Sequence, residues 1–433
     1  MLLRFEVNPA LKLLIRFNRL GVSAGRAALR SGIAALALLQ ADAVEAAKRA
    51  SPHPQQTQAP VAAPPAVERL TLAYLGQPAE TTVVPPYFDP VVTDRGIQGA
   101  RLGLADDNTT GRFTRQEFAI AEALLAPSDD PEAAFKRLVA DGRRFILTDL
   151  KPEVLRRLAA LPEAHDILLL DVSSRDDALR GEACASNVLH LLPSRAMRAD
   201  ALSQYLAKKK WTRWFLAVGP APEDRLFADA LQRSAKRFGM KIVAEKTWAH
   251  SFDDRRTPES EVPVFTQGSD YDIVLVADEA GLFGDILSYR TWLPRPVAGT
   301  QGLTASAWHH TLEAWGAIQL QNRFRQQAGR WMTEADYGAW LAVRAIGEAA
   351  TRTRSLEFEA IRSFLLGDGF ALAGFKGVPL SFRRWDGQLR QPVLLAQERS
   401  LVAVAPLEGF AHPKNELDSL GYDEPETSCR AKP

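Results

Sequence analysis

Residues 130–149, DPEAAFKRLVADGRRFILTD, constrain the fold of this chain most tightly. Asp130 is a good helix N-cap, and Pro131 falls at the first helical position, where its missing N–H costs nothing. Phe135, Leu138 and Val139 sit at i, i+3 and i+4 and form one apolar stripe. Gly142 supplies the residue that ends the helix. Phe145, Ile146 and Leu147 follow, a run too brief for a helix and suited to a buried parallel strand. Thr148 and Asp149 then turn polar. Lys151-Pro152 opens another helix, with Val154, Leu158 and Leu161 on one face. The order is helix, buried strand, polar edge, helix. In an open α/β sheet, the polar edge beyond a strand's carboxyl end is where ligands bind.

The same rhythm recurs on both sides. Residues 69–75 (RLTLAYL) read as a first strand ending at Gly76-Gln77. Asp94 opens a helix with Ile97, Ala100 and Leu104 on one face, which Asp106, Asp107, Asn108 and Gly111 are expected to stop. Gly96, Gly99 and Gly103 are spaced for helix packing. Residues 118–125 are ambiguous in composition, and their place between two helices favours a strand. Residues 167–172 (ILLLDV) form a buried strand ending in Ser173-Ser174-Arg175. A second run begins after Pro193: a helix over 195–210, strand 214–218 ending at Gly219, a helix over 223–238, and strands 241–245 and 273–277. The last of these ends on Asp278-Glu279. Helices are expected over 308–328, 333–351 and 355–366. Asp386-Gly387 between residues 378–382 and 389–396 is a hairpin signal.

The expected fold class is therefore α/β, with two doubly wound parallel-sheet lobes joined by a hinge. The organisation read from the chain is lobe 1 over 67–192, lobe 2 over 193–299, a return to lobe 1 over 300–376, a lobe 2 hairpin over 377–410 and a tail over 411–433. Residues 1–43 read as a signal-like segment: the first 30 residues hold six basic side chains against one acid, and 33–39 (IAALALL) are apolar. That run is far shorter than the roughly 20 residues of a membrane span. An amphipathic surface helix is the other reading. Residues 44–66, Pro-rich from 51 onward, read as a tether.

Lys plus Arg number 53 against 52 for Asp plus Glu, a net charge of +1. That balance argues against nucleic-acid binding, which needs a basic surface. The chain has two cysteines, Cys184 and Cys429. In an exported protein two lone thiols are expected to pair and would staple the tail to the body. Two unrelated thiols, one of them buried, is the alternative.

The segments RLTLAYLG, DRGIQGARLGLADDNTTG, 140–161, WFLAVGP and KRFGMKIVAEKTW resemble type I periplasmic binding proteins, the branched-chain amino-acid-binding-like receptors of ABC importers. SRDDALRGEACASNVLHLLPSRAMRADAL and KNELDSLGYDEPETSC resemble a subgroup associated with PQQ-dependent alcohol dehydrogenase systems. The resemblance implies a periplasmic, monomeric receptor that closes on a small molecule and hands it to an ABC permease, without enzymatic activity or a cofactor. One departure stands out. Amino-acid receptors of this family carry a Gly- and Ser-rich turn after the third strand, and here Thr148-Asp149-Leu150-Lys151 takes its place. The ligand is expected to be small, polar and anionic or planar rather than a plain amino acid.

Candidate ligand-binding residues follow from the strand ends. In lobe 1 they are Gln77, Thr148, Asp149, Ser173, Ser174 and Arg175, and in lobe 2 Arg225, Asp278 and Glu279, with Gln301 at a crossing. Arg175 and Arg225 are the residue type that clamps a carboxylate bidentately, and Lys151 would add a point charge. Trp308 or Trp292 would stack on a planar ligand. No catalytic residue is assigned, because H-E-x-x-H and G-x-x-x-x-G-K-[ST] are missing from the sequence and its G-x-S-x-G match, residues 21–25, lies in the signal-like segment. No zinc spacing exists. A sensor, or an enzyme or maturation factor on the same lobes, is the alternative function. A transcriptional regulator would need a helix-turn-helix before the first strand.

Overall fold

The computed structural model describes residues 67–77, 92–249 and 257–430. The signal-like segment and the tether lie outside the described residues. Two parallel sheets organise the chain. The first is built from β1 (Glu68–Gly76), β2 (Gln116–Leu124), β3 (Phe145–Asp149), β4 (Leu168–Asp171) and β5 (Val188–His190). Its order is β2-β1-β3-β4-β5, and every pairing is parallel. Helices α1 (Ile97–Thr114), α2 (Pro131–Ala140) and α3 (Pro152–Ala159) connect these strands. Residues 118–125 are thus mostly strand, as their position implies.

Period-two alternation divides each strand between two cores. Leu72, Tyr74, Phe145, Leu147, Leu168 and Leu170 point to one face, and Ala73, Leu75, Ile146 and Leu169 to the other. Both faces are covered, which is why these strands read as unbroken apolar runs.

The second sheet follows α4 (Arg195–Lys209). It contains β6 (Arg213–Val218), β7 (Lys241–Thr247), β8 (Ile273–Ala277), β9 (Val297–Gly299) and β10 (Leu303–Ser306), with α5 (Pro222–Phe238), α6 (Pro258–Phe265) and α7 (Gly284–Arg290) between them. The chain then forms α8 (Ala317–Ala328), α9 (Glu334–Thr353) and α10 (Phe358–Leu365), short strands β11 (Leu372–Ala373), β12 (Pro379–Phe382) and β13 (Leu389–Arg390), and finally β14 (Val393–Gln397) and β15 (Ser400–Ala405). The second sheet has the order β15-β14-β10-β9-β8-β6-β7, with β14 and β15 antiparallel at one edge.

Four expectations need correction. Asp106 and Asp107 do not stop α1, which runs on to Thr114. Arg323 and Arg344 neutralise the two acids, and the Trp340 indole donates to Asp106 at 3.0 Å. Trp308 lies outside any helix; α8 begins at Ala317 after a left-handed Gly316. The chain does not leave the second sheet at Gly299, because Leu303–Ser306 pairs with β9 and β14. The Asp386-Gly387 hairpin belongs to the first lobe's core through Leu380, Phe382 and Leu389. Its second strand is cut short at Gln391-Pro392, where proline cannot donate to a ladder. Only the segment beyond Pro392 crosses to the second sheet.

The glycines of α1 let α9 approach closely. A Cβ on Gly99 would fall on the Asp336 backbone, and one on Gly103 would meet the Val343 Cβ at 2.9 Å. Gly99→Ala is expected to destabilise the protein by about 1–3 kcal/mol through overpacking, read as a lowered urea midpoint at unchanged m-value.

Candidate functional site

The carboxyl ends of β1, β3 and β4 come together on one rim of the first lobe and enclose a cavity of about 200 Å³. Gln77, Asp149, Ser173, Ser174 and Arg175 line it, together with Arg95, Leu150, Lys151, Pro152 and Arg195. Asp149 is almost buried and already engaged: Tyr74 donates to one carboxylate oxygen and Arg95 to the other, each at 3.3 Å. Burial first, and then the Asp149 charge, push the Tyr74 phenol well above its ordinary pKa, so it remains a donor. Gln77 spends its amide on the carbonyls of Ala126, Pro127 and Asp129 and shapes the loop beside the cavity. The Asp171 carboxylate accepts from the backbone N–H groups of Ser173 and Ser174 and fixes that turn.

Two arginines and a glutamate close the back of this rim. Glu334, at the start of α9, accepts from Arg175 at 2.8 Å and from Arg198 of α4 at 2.8 Å, and also from the Ala307 backbone N–H. Burial by itself would raise the Glu334 pKa, but Arg198 and Arg175 override it and hold the carboxyl at about 2. Burial lowers Arg198 to about 10, so it remains charged at neutral pH. Arg198 also donates to the carbonyls of Pro193 and Ala305. One guanidinium thus ties two places where the chain passes between the sheets. From the second lobe, Glu279 accepts from Arg195 at 2.6 Å and lies 4.0 Å from Arg175.

Of the eleven residues expected at the site, five line the cavity and Glu279 reaches its arginines. The others serve elsewhere. Thr148 is fully buried, its hydroxyl 3.5 Å from the Leu170 carbonyl. Arg225 lies on the exposed face of α5, paired with Asp229 and Glu245, because the helix turns it toward β7 and away from the cleft. Asp278 is buried and accepts from the backbone N–H groups of Leu282, Phe283 and Gly284, so it builds a turn. Gln301 donates to the Asp278 carbonyl. Trp308 is core: it stacks on Tyr337 with ring centroids 4.6 Å apart, and its indole donates to Gln321. Trp292 is exposed beside α7 and does not line the cavity.

Arg95, Arg195, Arg198 and Glu334 were not anticipated from sequence. Arg195 and Arg198 left a trace. Two cations in the first turn of a helix oppose the macrodipole, so they need a local reason to be there. Cys184 and Cys429 form a disulfide. Among the described residues, no group of three or more His, Cys, Asp or Glu side chains is arranged to hold a metal.

Residues 127–254 match the sequence profile of the periplasmic binding protein family. No curated protein matches the chain by sequence. Solved structures resemble it over most of its length. A branched-chain amino-acid ABC transporter periplasmic ligand-binding protein from Burkholderia xenovorans LB400 superposes with a TM-score of 0.63 at 15% identity, over 77% of this chain and 95% of its own. A periplasmic binding protein from Burkholderia mallei gives 0.61 at 14% identity, over 84% and 99%. A solute-binding protein of an ABC transporter from R. palustris, in complex with benzoate, gives 0.58 at 11% identity, over 84% and 100%. The chain has the two-lobe α/β fold of type I periplasmic binding proteins. Among the described residues, no helix is long and apolar enough to cross a membrane.

Glu334 titrates lower in the folded state than in the unfolded chain. Its stabilising contribution is therefore complete above about pH 4.5 and is lost as pH falls toward 2. Acid unfolding followed by circular dichroism is expected to be less steep below pH 4.5 in Glu334→Gln. At pH 7 the same variant is expected to lose about 3–5 kcal/mol, because Arg198 is left buried without its partner.

Proposed function

We propose that this chain is a periplasmic solute-binding protein that closes on a small organic carboxylate and presents it to an ABC permease. The observation that carries this reading is the charge balance around the rim cavity. Arg95, Lys151, Arg175 and Arg195 face it, against Asp149 alone. An amino acid brings an ammonium that needs a free acid. Asp149 is held by Tyr74 and Arg95, and Glu279 and Glu334 are held by arginines. Lys151 has no ion pair among the described residues and is exposed at the mouth of the cavity. Ser173 adds a hydroxyl that makes no hydrogen bond among the described residues. This set suits a carboxylate without an ammonium group.

A volume of about 200 Å³ fits a short or single-ring acid. The resemblance of residues 174–202 and 414–429 to receptors of PQQ-dependent alcohol oxidation points the same way, since full oxidation of a primary alcohol ends in a carboxylate. Closure would be a hinge motion driven by the ligand's greater affinity for the closed state. The benzoate carried by the R. palustris neighbour supports the fold's capacity for such a ligand and goes no further.

Calorimetric titration with acetate, lactate, benzoate and leucine separates the possibilities. At least one carboxylate lacking an ammonium is expected to bind, more weakly as salt rises. Lys151→Ala is expected to weaken it about tenfold, equivalent to about 1.4 kcal/mol. Binding of leucine with no response to any simple carboxylate would overturn the assignment.

A further inference from the structure

We propose that the C-terminal segment is a strap between the lobes, which limits hinge opening and is clasped by the Cys184–Cys429 disulfide. Its first anchor is Asp418. This nearly buried carboxylate accepts from Arg383 at 2.9 Å and from Arg390 at 2.8 Å. Both arginines flank the Asp386-Gly387 hairpin, whose Phe382 and Leu389 sit in the first lobe's core. Arg383 also donates to the carbonyls of Leu417 and Leu420, so one guanidinium fixes the path of the chain.

The second anchor lies two to three residues further on, in the other lobe. Leu420 is fully buried in the core formed by α4, α5 and the second sheet. The Gly421 backbone N–H donates to Asp200 of α4 at 2.9 Å, and its carbonyl accepts from Arg233 and Arg237 of α5. Gly421 has φ of 78°, and a Cβ there would meet the Met197 Cγ at 2.6 Å. The third anchor returns to the first lobe. Cys429 is bonded to Cys184, in the loop that precedes β5. Ser428 packs on Gly181 of the same loop, where an added Cβ would meet its Oγ at 2.7 Å.

The chain therefore runs from the first lobe to the second and back within residues 418–429. Gly421 and Cys429 are eight residues apart, which allows a separation of at most about 26–29 Å when fully extended. A 3₁₀ turn at Glu424–Glu426 shortens that reach. A crevice of about 310 Å³ lies beneath, walled by residues 176–182 of one lobe, by α5 of the other and by the strap itself. Opening the hinge widens this crevice and draws the short leash taut. The disulfide turns a noncovalent lobe contact into one that cannot dissociate.

The test compares the ligand-free oxidised protein with a Cys184→Ser/Cys429→Ser double variant and with wild type reduced by a phosphine. A fourth sample, Gly421→Ala, keeps the disulfide but strains the second anchor. Each is measured by small-angle scattering and hydrogen exchange below its unfolding temperature, with far-UV circular dichroism as the check of folding. All three altered samples are expected to show a larger radius of gyration at unchanged dichroism. Exchange in residues 195–198 and 278–284, at the cleft, is expected to rise at least about tenfold. An unchanged radius and unchanged cleft exchange in Gly421→Ala and in either disulfide-free sample would overturn the proposal. A lower melting temperature alone would leave the disulfide an ordinary staple of the tail and would equally overturn it. Carboxylate binding plays no part in these readouts, so they stand apart from the ligand assignment.

Discussion

The contact on which the rest depends is the knot of Glu334 with Arg175 and Arg198. Its carboxylate belongs to a helix of the first lobe, and Arg198 belongs to a helix of the second. Glu334 and Arg198 are largely removed from water, which is costly for charges, and only mutual pairing and further hydrogen bonds offset the cost. Arg198 meets that condition through Glu334 and the carbonyls of Pro193 and Ala305. The reward is geometric. The interlobe passages at Pro193 and Ala305 are tied to one guanidinium, close to where the lobes join.

That arrangement sets the electrostatics of the rim. Glu334 draws on one side of Arg175, and Glu279 approaches the other from the second lobe. Arg195 is tied to Glu279 and lies 3.7 Å from Asp176. The acids of the cleft are thus consumed in positioning arginines. The surplus cation charge, at Lys151 and on the open side of Arg95 and Arg175, is left toward the cavity. A binding surface whose acids are already paired selects by charge before it selects by shape.

Much of this was legible in the chain. The stretch 130–149 appears as α2, the turn at Gly142 and β3, with Asp130 accepting the N-cap hydrogen bond from Glu132. The Asp-Gly hairpin and the glycine ridge of α1 were equally readable, because turns and close packing need particular residues at particular spacings. Errors came where long-range partners override local signals. Asp106 and Asp107 read as helix stops, yet arginines 217 and 237 residues away neutralise them. Trp308 read as an aromatic at a helix end, free to stack on a ligand, yet it is buried against Tyr337. Arg225 and Asp278 follow the correct strands but face the wrong way, since strand order says which loop reaches the rim and not which side chain does.

Sequence alone determined the layers: the order of helix and strand in the α/β core, the alternation that buries each sheet on two faces, and the turns at Gly142 and Asp386-Gly387. These depend on neighbours within a few residues, through periodicity, capping and proline geometry. Only the tertiary structure decided which charges meet. Glu334, Arg175, Arg198 and Arg195 are dispersed along the chain, and their pairing follows from where the folded lobes and the strap set them down. A charge's partner is a matter of distance in space, and a linear reading carries no measure of that distance.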